Sequence, residues 1–339
     1  MNFSKQLYQT IQNTIHTFDI IDTFDRESVF ADLVKFCRDI SSQEDTFKMY
    51  FVFNKYKKIL LFLREENFVL AEYNLEYLIN KNINYSNEVI KDSMDSLYFP
   101  VVAYYFYRKK DYTKALLNIN EAYDKFDKLY QQGYHHIIFN YVEQKINEFR
   151  ILIREEKFND SIDLVKELFQ NILSDKCFYH YNITFRSICL NDEELISYLN
   201  YIVDICSISL IINKNYLKIE DEHALSFVQV MIDVFSNSFL EKEYITSLES
   251  LKLLLKGKTQ EGLHYIYTYS SVVLNKNTCC SFAYIYYRVL LEYLYLNDMQ
   301  LYNKSVSILN TKKETSSYQC FVEKLLQDEF QRKSENCLI

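Results

Sequence analysis

Residues 155–169, EEKFNDSIDLVKELF, place Asn159, Asp163 and Glu167 at i, i+4 and i+8. On an α-helix this spacing sets three oxygen donors on one face, one turn apart, as a hard divalent cation such as Mg2+ requires. Two other clusters carry ligand chemistry by residue type. His135 and His136 are adjacent, so on a helix their side chains point about 100° apart and do not share a metal. They are expected instead as partly exposed helix-start residues after Gly133. Cys177 and His180 have ligand spacing, but a structural zinc site needs a second pair, and none is evident. Cys279 and Cys280 are expected as a buried helical pair.

The Asn159–Asp163–Glu167 spacing resembles the second magnesium motif of class I terpene cyclases, and that resemblance implies a metal held against a diphosphate. Such an enzyme also needs a first aspartate-rich motif, because two sets of oxygens must hold the metal. The chain contains no Asp-Asp doublet, and Asp19, Asp22 and Asp25 have the wrong spacing. The middle ligand is Asp where the motif has Ser or Thr. A second reading makes the segment one helix of a repeat. Phe158, Ser161, Val165 and Leu168 would form its buried stripe, Asn159 would cap its start, and the acidic residues would face solvent. The second reading accounts for more residues, so no metal ligand, cofactor or catalytic residue is assigned. With three glycines in 339 residues, no phosphate loop or nucleophile elbow is present either, and no motif calls for an enzyme.

Those three glycines and a single proline also set the fold class, since strand-rich and α/β folds spend both residues on turns and bulges. The chain is expected to be all-α. A net charge of −8 and a pI near 5.4 argue against a nucleic-acid partner, which would need a basic face. The 31 Tyr and 25 Phe carry little functional weight, because an A+T-rich coding sequence favours both. The amino terminus shows no secretory pattern, and Cys337 is third from the end, outside a prenylation box. The apolar run YIVDICSISLII, 201–212, contains Asp204 and falls short of the ~18 residues a membrane span requires. A cytoplasmic protein with eight free thiols, no membrane and no nucleic acid is therefore expected.

Three strings align: LFLREENF (61–68), YFYRKKDY (105–112) and ILIREEKF (151–158). Small and apolar residues follow each at offsets of three, seven and ten: Ala71, Leu75 and Leu78; Ala115, Ile119 and Ala122; Ser161, Val165 and Leu168. This is one helical stripe whose first member is small enough for a second helix to lie close against the first. Weaker copies occur at 253–269, with Gly262, Ile266 and Tyr269 in the slots, and at 291–309, where Tyr302 takes the small slot. The middle copy resembles a tetratricopeptide repeat at Ala103, Phe106, Asp111, Tyr112, Ala115, Ile119 and Ala122. The longer period resembles the stretched repeats of bacterial Rap-type peptide-pheromone receptors, at the level of architecture.

That resemblance implies a right-handed superhelical α-solenoid of helix-turn-helix repeats that holds a peptide in its concave groove. The boundaries expected are an N-terminal helical cap (1–47), tetratricopeptide-like repeats (48–172), an irregular helical segment (173–239), and further repeats with a terminal helix (240–339). About fifteen helices fit this length. In the repeat, the first helix lines the groove, so Arg64, Arg108 and Arg154 would form a guanidinium ladder for carboxylates or backbone carbonyls. Tyr104, Tyr107 and Arg150 would extend it as ligand-binding residues. Arginines at helix ends have two other uses: they complement the helix dipole, and they tie neighbouring repeats together through Glu or Asp. The function expected is non-catalytic binding of a peptide or protein segment. The alternatives are a scaffold for a folded partner and a helical enzyme acting on an isoprenoid diphosphate.

Overall fold

The computed structural model describes residues 3–14, 26–38, 40–81, 83–174, 176–189, 191–213, 217–236, 242–270, 274 and 280–313. Among them are fifteen α-helices and no strand. Asp19, Asp22, Asp25, Cys279, the side chain of Cys280, and the terminal helix expected after residue 313 lie outside the described residues. The chain divides into two compact units, 25–172 with 176–188, and 1–24 with 173–175 and 189–339.

The unit built on 25–172 contains α2 (Arg26–Arg38), α3 (Gln43–Arg64), α4 (Phe68–Lys81), α5 (Glu88–Arg108), α6 (Tyr112–Gln131), α7 (Ile137–Arg154), α8 (Phe158–Leu173) and the short α9 (Phe185–Ile188). Sequence chemistry sets several helix starts. The side chains of Ser42, Asn87 and Asp111 accept from the amides of Asp45, Val89 and Lys114, which otherwise lack intrahelical partners. The ends of α3, α5 and α7 are identical. Glu66, Lys110 and Glu156 adopt φ of 60°, 61° and 60°. The next amide of each returns to a carbonyl five residues back: Asn67 to Phe62 (2.8 Å), Asp111 to Phe106 (2.9 Å) and Lys157 to Leu152 (2.9 Å). This double-bonded C-terminal closure satisfies carbonyls the helix leaves open and aims the chain into the next helix.

The aligned slots follow from that geometry. Ala71, Ala115 and Ser161 are fully buried, and the six stripe residues after them are buried too. Helix α4 packs on α3, α6 on α5 and α7, α3 on α5, and α2 against α5 and α7. Phe158 is half-buried, and Asn159, Asp163 and Glu167 are exposed. Because α8 begins at Phe158, Asn159 lies inside its first turn and is not the cap expected of it. An aromatic cluster joins the segment 176–188 to this unit: Tyr141 stands 6.0 Å from Phe178, which stands 5.3 Å from Phe185.

The other unit contains α1 (Phe3–Thr14), α10 (Asp192–Ser207), α11 (Asp221–Phe235), α12 (Lys242–Leu255), α13 (Thr259–Thr268), α14 (Cys280–Asn297) and α15 (Met299–Lys313). Leu7 and Ile11 bury the inner face of α1, which packs against α13, α14 and α15. Helix α10 continues through a π-turn, Ile208–Ile212, into one helix of 21 residues, Asp192–Ile212. That is longer than the apolar run 201–212 suggests, and by length and composition alone it is enough to cross a membrane. Most of its apolar window is nevertheless buried in protein, and Asp204 accepts from the Ser281 amide (2.9 Å) and hydroxyl (2.6 Å). A half-buried carboxylate held by two donors from α14 fits a helix packed in protein.

The weak repeat copies fall in this unit. Gly257 (φ 71°) closes α12 with the same bonds: its own amide to Leu254 (3.0 Å) and the Lys258 amide to Leu253 (3.0 Å). Gly262 is buried, and a Cβ there would stand 2.5 Å from Leu254 Cδ2. Ile266 is buried, whereas Tyr269 lies past the end of α13 and is 43% exposed. Tyr302 is 2% exposed, and its amide bonds the Asp298 carbonyl as the Ala115 amide bonds Asp111, so it occupies the small slot.

Candidate functional site

Arg64, Arg108 and Arg154 are each the last residue of a helix, immediately before the left-handed closure. The repeated turn therefore places all three guanidinium stems at equivalent positions. Arg108 donates from Nη1 to the Tyr104 hydroxyl (3.2 Å) and from Nη2 to Glu66 Oε1 (2.9 Å), and its guanidinium lies 6.0 Å from the Tyr104 ring centre. Those bonds, the Tyr104 hydroxyl first, hold its guanidinium more firmly protonated than usual. Tyr104 and Tyr107 stack with centroids 6.2 Å apart. Arg154 Nε donates to the Tyr107 hydroxyl (3.3 Å), and Arg150 donates to Asn147 Oδ1 (2.9 Å).

The structure thus brings Tyr104, Tyr107, Arg108, Arg150 and Arg154 into one surface on α5 and α7. Arg64 is exposed and makes none of these contacts. Between the helices is a cleft of about 40 Å3, lined by Tyr104, Tyr107, Asn147 and Arg150 over Ala103, Ile119 and Ile151. A cleft this size holds about one water, so a ligand would lie across the surface and not within it. Arg108 and Arg154 both reach back to the preceding helix pair, through Glu66 and Tyr107, which is the tie between repeats. Sequence reading missed Glu66 and Asn147. The signal for Glu66 was the repeated polar residue two places after each arginine, where the turn is tightest.

The other ligand-type residues do not assemble. No group of three His, Cys, Asp or Glu side chains fit to hold a metal occurs among the described residues. His135 is exposed and His136 half-buried at the start of α7. His180 pairs with Asp127 (2.8 Å), and Cys177 is an exposed free thiol. No protein-family model matches the chain, and neither a curated protein nor a solved structure matches it.

Proposed function

We propose that the chain is a non-catalytic helical-repeat protein that binds an extended, acidic peptide or protein segment across α5 and α7. The supporting observation is the contiguous Arg–Tyr surface: three guanidinium groups and two stacked phenols at the ends of successive first helices. Arginine forks suit carboxylates and backbone carbonyls, and Tyr and Arg dominate binding hot spots. In the finer reading the helix pairs continue as a right-handed superhelix that presents this surface in its concave groove, and the protein acts in the cytoplasm as a receptor or regulator. The Arg108–Glu66 tie does not compete with that role, since an exposed ion pair contributes only about 0–1 kcal/mol and can be exchanged for a ligand carboxylate.

The test selects binders from a displayed library of Asp- and Glu-containing decapeptides and measures them by fluorescence anisotropy. Replacing Arg108, Arg150 and Arg154 together with Gln should weaken binding at least about tenfold while the melting temperature shifts by no more than about 5 °C. Selection of no peptide, or a triple variant that binds normally, overturns the proposal. A second reading, a scaffold for a folded partner, draws support from exposed apolar side chains on the first helix pair: Phe47 (74%), Tyr50 (50%), Val69 (76%) and Tyr73 (63%). It requires co-elution with a large partner that the triple Gln variant retains.

A further inference from the structure

A second cavity, of about 280 Å3, lies among α3, α4 and α5 and shares no lining residue with the cleft beside Arg150. One water occupies about 30 Å3 of liquid, so this space admits a small organic molecule. Its inner wall is apolar, formed by Val52, Leu78 and Met94, all buried. Three phenol rings complete it: Tyr56 from α3, Tyr98 from α5, and Tyr85 from the segment joining α4 to α5. The Tyr56 and Tyr98 rings stand 6.3 Å apart and are tilted by 43° rather than stacked. The Tyr56 hydroxyl is already committed to the Met94 carbonyl (3.4 Å), which fixes that ring in the wall.

One carboxylate, Asp95, also lines the cavity. Lys125 Nζ lies 3.0 Å from Asp95 Oδ2 and 2.8 Å from Asp92 Oδ1. Two carboxylates therefore share one ammonium, leaving one net negative charge, and Asp95 Oδ1 has no protein partner among the described residues. Lys91, one turn before Asp95, is exposed at the rim and forms no ion pair with it there. Aromatic faces attract a cation through their quadrupole, most strongly where it is desolvated, and a carboxylate that shares its one ammonium with another adds direct attraction.

We propose that this cavity is a binding site for a methylated or quaternary ammonium group, held by the rings of Tyr56, Tyr85 and Tyr98 and by the carboxylate of Asp95. The apolar wall selects alkylated nitrogen over a bare ammonium, because methyl groups gain from contact with Val52, Leu78 and Met94. Burial and the charge of Asp95 both push the Tyr85 and Tyr98 phenols up, so the rings stay neutral through the physiological range. The site is independent of the peptide surface, and its failure would leave that proposal standing.

The experiment is calorimetric titration of the full chain with choline and with 3,3-dimethyl-1-butanol, its uncharged carbon isostere. Choline should bind at least about tenfold more tightly than the alcohol. Asp95→Asn and Tyr98→Leu should each lose about tenfold for choline, and Tyr98→Phe should retain it, because the ring and not the hydroxyl is used. Circular dichroism melting checks that each variant is folded. Tyr98→Leu keeps the Lys125 pairs, so it stands if Asp95→Asn proves unstable. Equal binding of choline and alcohol, choline affinity unchanged in Tyr98→Leu, or no choline binding at millimolar concentration overturns the proposal.

Discussion

The turn after α5 and the turn after α12 close their helices with the same pair of hydrogen bonds but with opposite residue choices. After α5 the left-handed position holds Lys110, and Arg108 ends the helix; after α12 it holds Gly257, and Leu255 ends the helix. A side chain in that conformation costs about 1–2 kcal/mol that glycine does not pay. At Glu66 the strain has a visible return, because that carboxylate receives Arg108 from the next pair. A glycine turn has no side chain to offer. The two units therefore use one backbone device for different ends: in one it also carries side chains that link pairs, and in the other it only reverses the chain.

The small slot sharpens the contrast most. Ala115 is fully enclosed against α5, whereas Tyr302, at the same register after its turn, is itself a core residue whose ring meets Tyr295 at 5.3 Å. Tyr302→Ala should cost about 3–5 kcal/mol by leaving a cavity. Ala115→Leu should cost about 1–3 kcal/mol by forcing the helices apart. Urea unfolding monitored by circular dichroism reads both. If enlarging position 115 is tolerated, the slot is not what brings α6 onto α5.

The turns themselves supply the next effect. A Cβ on Gly257 would meet nothing within 4 Å, so Gly257→Ala isolates backbone strain and should lower stability by about 1–2 kcal/mol. Lys110 is exposed, so Lys110→Gly should raise stability by about 0.5–1 kcal/mol. The same change at Glu66 should gain less, because it also removes the partner of Arg108. Equal gains at 66 and 110 would show that the ion pair contributes nothing.

Much of this was legible because the repeat writes one geometry three times. Each Arg followed two residues later by Glu66, Lys110 or Glu156, and five residues after that by Ala71, Ala115 or Ser161, is a single turn seen as spacing. The all-α class was equally plain, since so few glycines and prolines leave little else to build. The cavity was not legible, because Tyr56, Tyr85 and Tyr98 come from three elements with no common period, and Tyr85 lies in a connecting segment. Helix Asp192–Ile212 was underestimated because its first turns carry Asp192, Glu193 and Glu194, charges that suit a helix start but interrupt an apolar run. The arginines' partners were hidden for a similar reason: Glu66 and Tyr107 sit 42 and 47 residues away, at distances only the stacking of pairs defines.

Those partners also separate the interface between the first and second pairs from that between the second and third. The first is ionic: Arg108 meets Glu66, and Glu72 receives both the Lys109 ammonium and the Tyr105 hydroxyl. Across the second, phenols meet the charges: Tyr107 accepts from Arg154 Nε (3.3 Å), and Tyr123 donates to Glu148 Oε2 (3.3 Å). The hydrogen bond from Lys109, then that from Tyr105, holds the Glu72 carboxyl below its usual range. A carboxyl lowered by folding adds stability that is full above its unfolded pKa, about 4.3 for Glu, and is lost as pH falls through the folded value. Glu72→Gln should therefore be slightly less stable than the parent at about pH 7, and the difference should close below about pH 4. At 1 M salt the neutral-pH difference should shrink as well, because Glu72 is 41% exposed and open to screening. Tyr107→Phe, which removes only a neutral hydroxyl from the second interface, should show neither dependence. A Glu72→Gln deficit that persists unchanged in acid would mean that packing, and not charge, joins the first two pairs.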